Sequence, residues 1–398
     1  MLKVFSDLLD ENCFDPLTRS ILDAGSGVGV LGICAAGALA EKGYDELRVR
    51  AQDRDELTRV FTLYNAAQNG IDEKTISAHI EPLLADCGPF DLILTNIPAK
   101  AGKPVLEDFI PRSVRCLSSG GKALMVAVNT LADFFTETIN EKAALLRTVK
   151  GSGHTVFLYG KNETRLPPKN ENSKKYETGN LLEWNPSYMR CSVDLEMEKI
   201  PYKMKTVHGA ENFDSAGGET EAAAKLAIRL EKEVRSCAAP ERILIWEDDQ
   251  GHFAAWFEKH FTPVDMQFVL AGRNVLALEA SLLNLRAAMV MIMSAESLPE
   301  HSIITVNAAD LGLESEKILA GGQCFSFIAA FPKKVPQTNT TEAFWESLKR
   351  ISLPGAIILI GLPSTEAESF DRKKPKGFTR LGDLKRKGFR ALAYRLTK

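Results

Sequence analysis

Three polar sites stand where apolar runs end, and their residue types suit one another. Asp23 closes Ile21-Leu22 and is followed by the glycine-rich turn Gly25-Ser26-Gly27-Val28-Gly29. A carboxylate at that point repels a pyrophosphate and suits an ammonium group, while the glycines let backbone approach a ligand closely. Asp53, followed by Arg54, closes a second apolar run. An acid there can accept hydrogen bonds from two adjacent hydroxyls. Asn96-Ile97-Pro98 follows a third run, Phe90-Asp-Leu-Ile-Leu-Thr95. An asparagine amide can accept from a planar exocyclic amine, and a nearby backbone carbonyl can take a second hydrogen bond. That pair aims a nitrogen lone pair at a group held in line, chemistry that needs positioning more than a strong base.

The elements that must hold these residues follow from the pattern. Strands are expected at 20–23, 47–53, 75–80, 90–95 and 122–128, and helices at 29–40, 56–68 and 109–116. Asn69-Gly70 stops the second helix. Strands alternating with helices at this spacing predict an α/β fold with a mostly parallel, doubly wound sheet. Such sheets bind ligands at the carboxyl ends of their strands, where Asp23, Asp53 and Asn96 all fall.

The second half repeats the plan of the first. Residues 242–251 lie over 20–29, 271–285 over 51–65, 322–332 over 88–98, and 351–355 over 117–121. In this alignment Ile245, Glu247 and Asp249 replace Asp23, Gly25 and Gly27, Arg273 replaces Asp53, and Ala330 replaces Asn96. Strand hydrophobicity survives while the strand-end polar groups are lost. The expected organisation is therefore a unit over 1–165, a linker over 166–196, and a degenerate second unit over 197–398 with a basic tail. Residues 191–207 alternate like a strand pair, and 219–235 read as one Ala-rich helix.

Asp23-Ala-Gly-Ser-Gly-Val-Gly29, Asp53 and Phe90-Asp-Leu-Ile-Leu-Thr-Asn-Ile-Pro98 resemble class I S-adenosylmethionine-dependent methyltransferases. More closely, the first unit resembles the small-domain family that includes bacterial ribosomal RNA guanine-N2 methyltransferases. The resemblance implies two tandem Rossmann-like units, the second degenerate, and S-adenosylmethionine held by Asp23, Gly25, Ser26, Gly27, Gly29, Asp53 and Arg54. It implies adenine-side contacts near Glu81 and catalysis by Asn96, Ile97 and Pro98 on an amine of ribosomal RNA. Two features depart from the family. Its Asn-Pro-Pro-aromatic motif is Asn96-Ile97-Pro98-Ala99 here, so the ring that stacks on the target base is missing. The unit with intact motifs is also the N-terminal one.

Composition sets the outer limits. At 398 residues the chain is expected to hold two or three domains, and 45% hydrophobic with 25% charged residues is usual for a soluble protein. The seven cysteines hold no C-x-x-C pair and the six histidines no H-x-x-x-H, so no metal is expected. No apolar run is long enough to span a membrane, and no signal-peptide pattern opens the chain, which points to the cytoplasm. Net charge is −3, yet residues 372–398 hold eleven Lys/Arg against one Asp, a candidate RNA contact. Two rival readings stand beside the methyltransferase. Gly27-Val-Gly-Val-Leu-Gly32 fits G-x-G-x-x-G, the mark of a nicotinamide-dependent oxidoreductase, but gives Asn96 no role. A non-catalytic RNA-binding or assembly protein with a vestigial fold is the other.

Overall fold

A computed structural model describes residues 1–85, 88–162, 175–177, 180–237, 242–261, 267–286, 301–305, 325–334 and 340–397. The chain divides into two compact units, Met1–Tyr188 and Met189–Lys398. In the first, β1 (Ser20–Ala24), β2 (Arg48–Asp53), β3 (Ile76–Ile80), β4 (Phe90–Asn96), β5 (Leu117–Val128), β6 (Ala144–Lys150) and β7 (His154–Gly160) form one sheet. Its order is β3-β2-β1-β4-β5-β7-β6, with β7 antiparallel to both of its neighbours.

Apolar alternation decides what each face of this sheet buries. Ile21, Val49, Leu92, Leu94, Leu124, Val126, Val156 and Leu158 pack with α1 (Leu2–Asp10) and α2 (Val30–Glu41) in one cluster. Asp23, two residues after Ile21, therefore also points to the α2 side. The next helix, α3 (Glu56–Gln68), is capped by Asp55, whose Oδ1 accepts from Leu57 N at 2.9 Å. It stops at Asn69, and Gly70 follows with φ +72°, as the sequence predicts. The helix expected from residue 109 starts earlier, so that α4 runs Lys103–Cys116. The pair α5 (Ala132–Lys142) and β6–β7 was not legible in advance, because β6 has no buried residue and β7 is buried on both faces, so neither strand alternates.

The second unit repeats this order with β10 (Arg242–Trp246), β11 (Gln267–Gly272), β12 (His301–Thr305), β13 (Phe325–Ala330), β14 (Ser352–Pro363), β15 (Phe378–Arg386) and β16 (Phe389–Leu396). The sheet runs β12-β11-β10-β13-β14-β16-β15, position for position the order of the first. A separate hairpin of β8 (Met189–Met197) and β9 (Ile200–Val207) precedes it. The helix expected over 219–235 breaks at Leu230 into α7 (Gly218–Arg229) and α8 (Glu231–Cys237). Trp246, Trp256 and Phe257 are fully buried and belong to the core of the second unit.

Two organisational expectations need correction. Residues 166–174 and 178–179 of the expected linker lie outside the described residues, but its described remainder is not free chain. A short helix, α6 (Leu181–Trp184), and Tyr188 pack on the first unit, and β8 already begins at Met189. The basic tail is not an appendage either. It builds β15 and β16, with Phe378, Leu384, Leu392 and Tyr394 buried. Its arginines are largely neutralised within the unit: Arg380 pairs with Asp371 and Asp383, Arg386 with Glu198 and Glu221, and Arg390 with Asp383.

Candidate functional site

The parallel pairing of β1 with β2 and β4 sets Asp23, Asp53 and Asn96 at three neighbouring strand ends. Asp23 is 0% exposed. Its Oδ2 accepts from Gly32 N at 2.7 Å, while the buried Oδ1 has no partner. Gly32 leaves room for that bond: a Cβ there would stand 3.0 Å from both Asp23 Oδ2 and Val49 Cγ1. Burial is the main force on the Asp23 carboxyl. The Gly32 N–H partly offsets it and the nearby Asp53 charge adds to it, leaving a pKa pushed up to about 7.

The glycine turn is tied to β2 rather than loose. Gly25 N and Ser26 N both donate to Gln52 O at 2.9 Å, and Gly27 N donates to Asp53 Oδ2 at 3.0 Å. Gly25 and Gly29 have φ +73° and +84°, a region that side-chain-bearing residues avoid. Gly29 is also crowded, since a Cβ there would come within 2.7 Å of Thr62 Cγ2. Asp53 is therefore not the helix cap, a role that Asp55 fills. Its Oδ1 accepts from Asp55 N at 3.1 Å, and burial raises its pKa against these bonds and the Arg54 charge. Each oxygen retains a lone pair for a hydroxyl donor.

Glu81 lies beside this turn, its N–H donating to Asp53 O at 2.8 Å. Its carboxylate is held by both of its oxygens to Arg50 Nη2 at 2.7 and 2.8 Å. That engagement was invisible in a one-dimensional reading, because Arg50 sits on β2 and Glu81 follows β3. On the other side, Thr95 Oγ1 donates to Ala24 O at 2.8 Å, and Asn96 is exposed. No hydrogen bond engages the Asn96 amide among the described residues. Ile97 is buried, with its N–H donating to Val126 O at 3.2 Å, and Pro98 and Ala99 are exposed. Lys100 stands on the surface of the short 3-10 turn Ala99–Ala101. Sequence reasoning missed Gln52, whose amide donates to Pro82 O at 2.9 Å while its buried Oε1 has no partner.

The second unit fills the same positions differently. Strand pairing and two side-chain bonds fix the equivalence. Thr62 Oγ1 bonds Gly27 O as Ser281 Oγ bonds Asp249 O, and Asn65 bonds Val28 O as Asn284 bonds Gln250 O. This register shifts three of the four aligned segments by one residue, two of them at site positions. Gly272, not Arg273, lies opposite Asp53, and Phe331, not Ala330, lies opposite Asn96. Buried Ile245 takes the place of Asp23. Glu247 and Asp249 stand at φ +59° and +48° where glycines stood. Glu247 accepts from Arg273 N at 2.6 Å, and Asp249 from Glu211 N and Asn212 N at 3.0 and 2.7 Å. Asp248 caps α9 (His252–Phe261), accepting from Phe253 N and Ala254 N. Asp214, in the bend after β9, binds Arg190 through both carboxylate oxygens and accepts from Cys191 and Thr206. Neither His208 nor Asp214 joins a strand-end site.

Among the described residues no helix is long and apolar enough to cross a membrane, and no group of His, Cys, Asp and Glu is placed to hold a metal. Comparison with known proteins bears on both units. Residues 3–156 match the family model described as methyltransferase small domain. A ribosomal protein L11 methyltransferase from Rhodopseudomonas palustris (strain BisB5) is 35% identical over 108 residues, covering 25% of this chain and 35% of that protein. One from Sorangium cellulosum (strain So ce56) is 32% identical over 123 residues, covering 31% and 35%. The alignments thus span about a third of the length of these curated relatives. The T. thermophilus 16S rRNA N2 G1207 methyltransferase (RsmC), in complex with AdoMet and guanosine, superposes with a TM-score of 0.60. That match covers 98% of this chain and 91% of the other at 14% identity, so it speaks to the fold.

Proposed function

We propose, from the premise that residues 3–156 match a methyltransferase small domain and both units share the class I methyltransferase fold, that the first unit binds S-adenosylmethionine. It transfers the methyl group to an exocyclic amine of a base in ribosomal RNA, guanine N2 being the target that the motif chemistry favours. The observation that carries the reading is the conjunction of three strand ends: an incompletely bonded buried Asp23, Asp53 beside the glycine turn, and a free Asn96 amide. The residues fit the cofactor. Asp23 Oδ1 lacks the donor that an ammonium group brings, and Asp53 retains lone pairs for ribose hydroxyls.

S-adenosylmethionine supplies an activated methyl group when bound. The protein's task is positioning. Asn96 Oδ1 accepts from the target amine, the Ile97 carbonyl takes its second N–H, and the buried Ile97 side chain fixes both. A target base must leave its stack to reach this end of the sheet, which favours an unpaired or flipped nucleotide. The second unit serves as scaffold and RNA contact: it bears buried Ile245 opposite Asp23, Gly272 opposite Asp53, and opposite Gly25 and Gly27 acids already bonded to its own backbone. The five cysteines among the described residues form no disulfide, which is compatible with a reducing cytoplasm.

A second reading has two observations in its favour. Ala99 offers no ring to stack a base, and the curated relatives are named for methylating a ribosomal protein. Ribosomal particles incubated with methyl-labelled S-adenosylmethionine separate the two. Label in the RNA fraction supports the proposal, and label confined to protein moves the acceptor to a polypeptide amine. Failure of S-adenosylmethionine to bind in calorimetry ends both.

A further inference from the structure

The turn from β3 to β4 is unusual for a doubly wound sheet, because its described residues include no helix. Glu81–Ala85 instead forms a tight loop whose Leu83 leans on the glycine turn: a Cβ on Gly25 would stand 3.2 Å from Leu83 Cδ2. Leu84 is buried with φ +57°, a conformation that a leucine holds only when its neighbours are fixed. Four bonds fix them. Two come from β2, Gln52 Nε2 to Pro82 O and Glu81 N to Asp53 O. The other two come from about a hundred residues downstream. Leu83 N donates to Tyr188 Oη at 3.1 Å, and Tyr176 N donates to Ala85 O at 3.2 Å.

The downstream segment is itself anchored. Trp184 lies between Tyr176, packed edge-on, and Tyr188, stacked at 6.4 Å. The Arg112 guanidinium sits 4.5 Å from the Trp184 ring centroid. On α4, Asp108 Oδ2 accepts from Arg112 Nε at 2.7 Å and from Asn185 Nδ2 at 2.8 Å. The segment thus spans from the loop beside the cofactor turn to the helix that follows Asn96-Ile97-Pro98. Tyr188 is 3% exposed, so its hydroxyl is a sheltered partner for Leu83 N rather than an incidental surface contact.

We infer that Tyr188 is a positioning residue for the adenosine half of the cofactor: its hydroxyl holds Leu83, and Leu83 shapes the wall of the glycine turn. This rests on the proposed S-adenosylmethionine site. Removing the hydroxyl leaves a part-buried N–H without its acceptor, and the loop relaxes away from the turn.

The test uses the full chain. Calorimetry compares S-adenosylmethionine and 5′-methylthioadenosine binding to the wild type, Tyr188→Phe and Tyr159→Phe. Tyr159 is an equally buried tyrosine, bonded to Ser113 at 2.8 Å, and serves as a control for loss of a hydroxyl as such. Tyr188→Phe should weaken both ligands by the same factor, about tenfold, while Tyr159→Phe keeps both within about twofold. Trp184 is the sole tryptophan among residues 1–188. Its emission should change on S-adenosylmethionine binding in the wild type, with no such change in Trp184→Phe, a readout that holds even if Tyr188→Phe fails to fold. Wild-type affinity in Tyr188→Phe, equal weakening by both variants, or a silent Trp184 overturns the inference alone. Absence of wild-type binding overturns the proposed function with it.

Discussion

In the proposed site, the Asp23 carboxyl should make cofactor affinity depend on pH in a calculable way. Its pKa of about 7 means that the free protein holds a proton there across the mildly acidic range. An ammonium group requires the carboxylate, so binding must expel that proton, and the apparent Kd scales as one plus the ratio of protonated to ionised carboxyl. Between pH 7.0 and 5.5 this factor rises from about 2 to about 33, a loss of affinity of about 16-fold. The ligand's own amino group, with a pKa near 8, stays charged throughout this interval. At pH 6, about 0.9 proton should leave per ligand bound, read by titration calorimetry in buffers of different ionisation enthalpy. Asp23→Asn should abolish both the proton release and the slope. A pH-independent Kd, or no proton release at pH 6, refutes the role given to Asp23. The sign for folding is opposite. Because the native carboxyl takes its proton at about 7 and the unfolded one near 3.8, this group favours the ligand-free fold increasingly as pH falls through that window.

Asp53→Ala should weaken S-adenosylmethionine by about tenfold or more, since it removes the acceptor of Gly27 N together with that of the ribose hydroxyls; equilibrium binding at pH 7 measures it. For Asn96→Ala the expected outcome is unchanged cofactor affinity with turnover reduced about a hundredfold or more in a labelled-methyl assay. A fully active variant removes Asn96 from the amine-binding role. Deleting the tail is uninformative, because it removes two strands of the sheet. Replacing exposed Lys376 and Lys385 with alanine is the cleaner perturbation. If both meet phosphate, the slope of log K for RNA against log salt should become shallower by about 2, as filter binding would show.

Much of the fold was written in local patterns. The strands β1, β2 and β4 announce themselves as apolar runs closed by Asp23, Asp53 and Asn96, and the glycines declare the turn between β1 and α2. The tandem plan was legible because burial keeps the strands apolar even where the strand-end residues differ. Its exact register was not, since Ala330-Phe331 and Gly272-Arg273 can each slide by one residue without changing the pattern. Only hydrogen bonds such as Asn284 to Gln250 choose between the alternatives. Residues 175–188 look like linker because polar and proline-rich neighbours surround them. Their contacts with Leu83, Ala85 and Asp108 lie about seventy to a hundred positions upstream, beyond any window of periodicity. The basic tail misled for a similar reason: the acids that neutralise Arg386 lie at Glu198 and Glu221.

The acids of the second unit also bear on how a duplicated protein ages. Returning Ile245 to aspartate alone would bury a carboxylate in an apolar core, with no turn of matching shape above it. Returning Glu247 or Asp249 to glycine alone would strip backbone N–H groups of their acceptors. Each such single step costs stability on its own. The difference between the two halves therefore behaves as a ratchet, each acid of the second turn held in place by the backbone bonds it makes.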